Sequence, residues 1–343
     1  MKEGKREKNN IFNSTELVGN SAFCRMIREQ VPTMATSDLP VLILGASGTG
    51  KDLIARMIHA ASRRADKPYL SLNCATLGTL AESELFGHVT GAFTGAVRGT
   101  HGYLGSANGG TLLLDEVGEL SLEIQAKLLR FLDGGDYFRV GESTPRFADI
   151  RVIAATNQDL ETLVREKCFR EDLYYRLCGF LIKTEPLSER TKDIPQLVRH
   201  FTRIYAQHFD QEEPFITPEA MNILASWSWP GNVRQLKYAV FKLCHFAREG
   251  SITPELIIEF DLKIYDSPNK THSPSIDCKL DQYKIAKEKA IAEFDRRYFT
   301  TLLETTRGNL KETLTISGLH KKNFYLKIKN LGLNPKDFKK EPK

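Results

Sequence analysis

No segment of this 343-residue chain comes near the roughly eighteen consecutive apolar residues of a membrane span, and its charged opening, Met1-Lys2-Glu3-Gly4-Lys5-Arg6, has no apolar core of a secretory signal. A cytoplasmic protein without membrane contact is therefore expected. Cysteines are few: Cys24, Cys74, Cys168, Cys178, Cys244 and Cys278 include no Cys-x-x-Cys pair and no ligand spacing. Reduced structural thiols are the expected state, and zinc is not indicated. No internal repeat is present. Net charge is small, +5 from 48 basic and 43 acidic side chains, but it is unevenly placed. From Lys279 onward sixteen Lys/Arg face eight Asp/Glu, which leaves −3 for everything before. Basicity gathered in the C-terminal segment suits contact with phosphate backbones; a solvated lysine-rich helical face is the plainer alternative.

What the chain does hold is alternating strand and helix signal. Residues 1–14 are polar and charged, with too little apolar area to offset the entropy of ordering, and read as a mobile arm. Val41-Leu42-Ile43-Leu44, Tyr69-Leu70-Ser71-Leu72, residues 111–114 and residues 150–155 are short apolar runs of the kind found in buried parallel strands. Helical patterns at 52–62, 122–132 and 169–177 alternate with them. The alternation predicts an α/β domain over 15–185, a doubly wound parallel sheet with ligands at the strand carboxyl ends. Over 186–263 only helices are expected, at 193–209, 217–227 and 232–248, forming a small α-helical lid. Residues 264–278 are rich in Ser, Pro, Asn and Thr and read as a linker before a small all-α unit at 279–343.

Gly45-Ala46-Ser47-Gly48-Thr49-Gly50-Lys51 follows a predicted strand and opens a predicted helix, the context that makes a P-loop. Its glycines let backbone N–H groups close around a phosphate, and Lys51 supplies a point charge for the outer phosphate oxygens. Asp52 stands where the general pattern has a Mg²⁺-holding Ser or Thr. Asp115-Glu116 ends the apolar strand Leu112-Leu113-Leu114, as in a Walker B pair: the aspartate orients Mg²⁺ and the glutamate polarises the attacking water. Between these motifs lies Gly91-Ala92-Phe93-Thr94-Gly95-Ala96, where an exposed Phe and Thr framed by small residues make poor core and a good contact tip.

Glu84-Leu85-Phe86-Gly87-His88 followed by this hexapeptide, set inside a P-loop ATPase, resembles the AAA+ activators of sigma-54 RNA polymerase, the bacterial enhancer-binding proteins. The resemblance runs from Leu17 to about Leu333. It implies ATP and Mg²⁺ as cofactors, and it accommodates Asp52, since these proteins carry an acidic residue after the P-loop lysine. It adds Val18 and Gly19 to the nucleotide site and makes Thr156 and Asn157 a sensor for the γ-phosphate. Asn73 matches a residue thought to hold the catalytic glutamate away from water; an ordinary turn cap is the alternative. Arg170 and Arg176 resemble arginines supplied in trans to a neighbouring subunit, unless they simply pair with Glu171, Asp172 or another surface carboxylate. Trp229-Pro230-Gly231-Asn232-Val233-Arg234 resembles sensor II, with Asn232 as a helix cap and Arg234 reaching from the lid to the phosphates.

Toward the C-terminus, Gly308-Asn309-Leu310, Ile316-Ser317-Gly318-Leu319 and the run Lys321 to Lys329 give helix, glycine turn and basic second helix, the layout of a helix-turn-helix. It resembles the Fis-type domain of the same activators, although Thr313 and Leu314 stand where a pair of alanines is usual. Lys321, Lys322, Asn323, Tyr325 and Lys327 are the expected DNA contacts. The function implied is that of a transcription activator which binds enhancer DNA and spends ATP in a ring, a hexamer formed from inactive dimers, to remodel the sigma-54 polymerase closed complex. The alternative is a DNA-binding regulator of other promoters whose ATPase serves assembly only. Fewer than twenty residues precede the ATPase. Control in trans by a partner, activity that follows abundance, and a chain that is part of a longer, response-regulator-like protein all stay open.

Overall fold

Alternate residues of a strand point to opposite faces, so an apolar run without polar interruption folds stably only where both faces are covered. The computed structural model realises this in a five-stranded, wholly parallel sheet. It describes residues 16–78, 80–247 and 250–259 and, further on, 298–300, 302–303, 306, 309–317, 324, 328 and 338. The arm at 1–14, the linker at 264–278 and the DNA-contact residues Lys321, Lys322, Asn323, Tyr325 and Lys327 lie outside the described residues. The chain divides into two units, Met1–Asn269 and Lys270–Lys343.

The first unit begins α1 (Ala22–Ala35), β1 (Val41–Leu44), α2 (Lys51–Ala60), β2 (Tyr69–Asn73), α3 (Ala81–Phe86), α4 (Gly102–Ser106) and β3 (Thr111–Asp115). It continues α5 (Leu122–Gly134), β4 (Asp136–Tyr137), β5 (Arg146–Phe147), β6 (Arg151–Thr156), α6 (Leu160–Arg165), α7 (Glu171–Leu177) and β7 (Phe180–Lys183). A helical region follows: α8 (Ile194–Phe209), β8 (Phe215–Ile216), α9 (Pro218–Ser226), α10 (Asn232–Phe246), β9 (Ser251–Ile252) and α11 (Pro254–Glu259).

The sheet order is β2-β3-β6-β1-β7. Leu42, Leu72, Leu112, Leu114, Val152 and Ala154 face one core, closed by α5 and α7 through Ile124, Leu128, Phe131, Leu173 and Leu177. Val41, Ile43, Leu113, Ile153 and Ala155 face the other, closed by α1 and α2 through Phe23, Ile27, Val31, Ile54 and Ile58. The doubly wound sheet read from the sequence is present, with one strand more, since β7 pairs with β1 at the sheet edge. Its run Phe180-Leu181-Ile182-Lys183 is short and half exposed, which leaves little signal. The first lid helix starts at Ile194 rather than 193, because Asp193 closes a separate 3-10 turn, Thr191–Asp193; its carboxylate does not cap the helix but accepts from the backbone N–H groups of Asn20 and Ser21, both at 2.7 Å. The helical region has its own core, including Leu187, Val198, Leu224, Trp229, Leu236 and Leu243.

In the second unit Phe299, Leu302, Leu303, Phe324 and Ile328 form a cluster, with Leu314 of α12 (Leu310–Ser317) packed against it. Thr313, large and polar for its place, is fully buried. Its hydroxyl donates to Asn309 O at 2.7 Å and lies 2.8 Å from the hydroxyl of Thr306, so no buried donor is left over. Among the described residues no helix is long and apolar enough to cross a membrane.

Leu113 sits at the centre of β3 with no exposed surface. Replacing it with alanine should cost about 2–5 kcal/mol of stability, read as a lower urea midpoint of the first unit.

Candidate functional site

Parallel register brings the strand ends to one line. Asn73 pairs across to Asp115, Asp115 to Ala155, and Leu44 to Thr156. Gly45, Asn73, Glu116 and Asn157 therefore leave the sheet side by side. Lys51, the first residue of α2, is buried, and its ammonium donates to Gly45 O at 2.8 Å and lies 3.9 Å from the Glu116 carboxylate. Burial pulls its pKa below the usual lysine value, and the carboxylates of Glu116 and Asp115 oppose that pull. Asp115 moves the other way: burial and neighbouring Glu116 raise it, while Lys51 holds it down. A cation at this point relieves both carboxylates, so the chemistry of the donor set suits a divalent metal held with a phosphate chain.

Glu116 takes a left-handed backbone (φ 54°), which turns its side chain off the strand. Its carboxylate accepts from Asn157 N at 3.0 Å and from the Thr156 hydroxyl at 3.4 Å. Asn73 caps the turn Cys74–Thr76, its side-chain oxygen accepting from Ala75 N at 2.9 Å. Asp52 is half exposed and tied to Arg56 at 2.8 Å and to the Tyr69 hydroxyl at 3.5 Å.

A cavity of about 370 Å³ lies over the P-loop. Val18, Ser47, Gly48, Thr49, Gly50, Lys51, Asp52, Asp115, Glu116 and Arg234 line it, while Gly19, Gly45, Ala46, Asn73, Thr156 and Asn157 do not. Its apolar end is made by Leu17, Val18, Leu197, Phe201 and Ile204, a surface suited to a flat heterocycle. The last three were missed in the sequence because a helix facing a ligand has the same periodicity as one facing core.

Residues 184–193, between sheet and lid, were missed as well. The Thr184 hydroxyl lies 2.8 Å from that of Thr49. Arg190, buried against the Phe23 ring, donates to Thr49 O at 2.7 Å. Asp193 packs so closely on Gly19 that a Cβ there would meet its carboxylate, which gives Gly19 (φ 136°) a structural reason to be glycine. Burial alone would raise the Asp193 pKa, but the donors from Ser21, Cys24 and Asn20 outweigh it and hold the group below the ordinary aspartate value.

Asn232 does not cap its own helix. It is the first residue of α10, with φ 54°, next to Trp229 with φ 48° across the Pro230-Gly231 turn. Its amide donates to Ser47 O at 3.0 Å and its side-chain oxygen accepts from Leu187 N at 2.8 Å, so it latches P-loop, connector and lid together. Arg234 joins the latch, 3.1 Å from the Ser47 hydroxyl.

Arg170, at the cap of α7, and Arg176, on it, stand apart from this cavity. Arg170 pairs with Asp172 at 2.7 Å, and Arg176 with Asp133 at 3.1 Å and Leu132 O at 2.6 Å. Both are surface pairs that open at small cost.

Gly91, Ala92, Phe93, Thr94, Gly95 and Ala96 close on themselves through Gly91 N to Ala96 O (2.9 Å) and Ala96 N to Phe93 O (3.0 Å). Thr94 is exposed, but Phe93 is half-buried on the His88 ring, with centroids 5.0 Å apart. His88 itself is buried, donating from Nε2 to Arg98 O (2.9 Å), with Nδ1 2.7 Å from the Ser83 hydroxyl. The loop base rests on the β4–β5 connection through Val89 N to Val140 O at 3.1 Å.

The Sigma-54 interaction domain profile matches residues 17–183, and the AAA+ ATPase lid domain profile residues 188–273. The chain is 40% identical over 326 residues to the anaerobic nitric oxide reductase transcription regulator NorR of Aeromonas salmonicida, covering 93% of this chain and 64% of that protein. It is 37% identical over 336 residues to the DNA-binding transcriptional regulator NtrC of Salmonella typhimurium, covering 93% and 71%. A crystal structure of NtrX from Brucella abortus in complex with ADP is similar at TM-score 0.73 and 32% identity, over 96% of this chain and 72% of that one. The chain thus spans just under two thirds of the length of its NorR relative.

Asn232→Ala removes both side-chain bonds of the latch and should weaken binding of a fluorescent ADP about ten- to a hundredfold, measured by titration. Asp193 contributes stability in full above the unfolded aspartate pKa of about 3.9 and loses it as pH falls through its lower folded value. Denaturation profiles of the chain and of Asp193→Asn should therefore differ by a constant amount at neutral pH and converge below about pH 4.

Proposed function

The chain belongs to the AAA+ ATPase family marked by the sigma-54 interaction domain, and from that premise we propose that it is a sigma-54-dependent transcription activator. In this reading it is a cytoplasmic ring of six subunits, bound to enhancer DNA by its C-terminal unit, that uses ATP hydrolysis to convert the polymerase closed complex to an open one. The observation that carries it is the exposed Thr94 tip, folded as an insertion between the P-loop and the Asp115-Glu116 strand end.

The nucleotide's base would occupy the apolar end of the cavity, against Leu17, Val18 and Phe201, with its phosphates over Ser47 to Lys51. Mg²⁺, held by Asp115, would supply charge neutralisation at the phosphate oxygens. Glu116 takes the proton of the attacking water, and Thr156 and Asn157, which hold its carboxylate here, set its orientation. Arg234 draws the lid onto the phosphates, and Arg170 or Arg176 leaves its surface carboxylate to serve the next subunit's site.

Coupling to the tip has a short covalent route. Asn73 ends β2 beside Asp115 and caps the turn Cys74–Thr76, which leads into α3 and thence to His88 and the loop. We assign Asn73 and Glu116 the task of raising the loop when the γ-phosphate is present and lowering it on phosphate release. Exposure of Phe93 would accompany raising, since its partner His88 is fixed to the loop base. DNA binding falls to Lys321, Lys322, Asn323, Tyr325 and Lys327, and a partner acting in trans is one means of control.

Two measurements test this reading. In size-exclusion chromatography the protein should co-elute with sigma-54 in the presence of ADP and a metal fluoride, and not with ADP alone; failure despite measurable ATP turnover would transfer the protein to promoters of another kind. Thr94→Ala should leave ATP turnover largely intact and abolish activation of transcription in a reconstituted assay. Parallel loss of both would remove the contact role of Thr94.

A further inference from the structure

Gln125 is fully buried on α5, beside core residues Ile124 and Leu128. An apolar side chain would fill this place without desolvating an amide, so the burial of a glutamine here is offset by the bonds it makes. Its amide donates to Leu120 O at 2.7 Å and to Cys168 O at 3.1 Å, and its side-chain oxygen accepts from Arg170 N at 2.8 Å. All three partners are backbone groups of irregular segments. Leu120 closes the turn Val117–Glu119 that follows Glu116. Cys168 and Arg170 are the residues from which α7 starts, with Arg170 at its cap position. One buried amide thus fastens the start of the arginine helix to the turn that leaves the strand end carrying Asp115 and Glu116.

We propose that Gln125 is a positioning residue for hydrolysis in the neighbouring subunit: it fixes the start of α7, and with it the arginine which that helix offers across the subunit boundary. The inference rests on the ring reading above, in which Arg170 or Arg176 acts in trans. Among the described residues the guanidinium of Arg170 has only an exposed aspartate, Asp172, as its own side-chain anchor, so its direction is set from below, by the backbone that Gln125 holds. A shift of about 1 Å in a group that meets a transition state is enough to cost about a hundredfold in rate.

Mixed rings of full-length chains separate the two roles. Arg170→Ala/Arg176→Ala subunits keep an intact nucleotide site and give no arginine; Glu116→Gln subunits give arginine and do not hydrolyse. Each should be inactive alone, and the mixture should recover ATP turnover. Without recovery, the arginines do not act in trans, and the ring reading falls together with the proposal. Given recovery, Gln125→Met is placed in one partner at a time. In the Glu116→Gln donor it should lower the recovered turnover about a hundredfold. In the arginine-less acceptor it should leave turnover and fluorescent-ADP binding as they were. Loss in both arms, loss in neither, or loss of ADP binding by the Gln125→Met chain would mark a residue that merely holds the fold and would overturn the assignment.

Discussion

Parallel pairing in register is the constraint from which the rest of this molecule follows. Because β1, β2, β3 and β6 run the same way and end on one line, the Lys51 ammonium, the Glu116 carboxylate and the Thr156 hydroxyl, far apart in sequence, meet with separations of 3.9 Å and 3.4 Å. The same constraint forces each strand to return by a helix, and those helices close the two cores that hold the strands in place. Site and core are two ends of one arrangement: the apolar middles of the strands hold it together, and their polar ends leave charge where the sheet stops.

Much of this was legible in the sequence. Runs such as Val41 to Leu44 and Leu112 to Leu114 announce strands buried on both faces, and a glycine-rich turn followed by Lys51 announces what lies at one strand end. What could not be read was contact at long range. Arg190 and Asp193 are more than 140 residues from Thr49 and Asn20, and in a linear reading one is a charge in a polar connector and the other merely opens a helix. Gln125 lies on a helix whose periodicity is already accounted for by its apolar neighbours. The edge strand β7 was hidden because only Ile182 of its four residues is buried.

Local expectations failed where tertiary partners outbid sequence neighbours. Asn232 has the side chain of a helix cap but stands one residue past the cap position and bonds across to Ser47 and Leu187. Phe93, framed by small residues, has the look of a free tip and instead leans on His88. Asn73 is the reverse case: its observed bond is the plain turn cap, and that cap sits at the head of the segment leading to the loop.

The turn at Pro230-Gly231 is flanked by Trp229 and Asn232, both in left-handed backbone conformation. Asparagine tolerates that region; a large aromatic residue does so at a cost of about 1–3 kcal/mol, offset here by the burial of the Trp229 ring and the bond from its indole N–H to Leu224 O. The strain sits inside the lid, since the Trp229 ring and its Leu224 partner both belong to the lid core, and the rigid turn it braces sets the angle at which Asn232 and Arg234 meet Ser47.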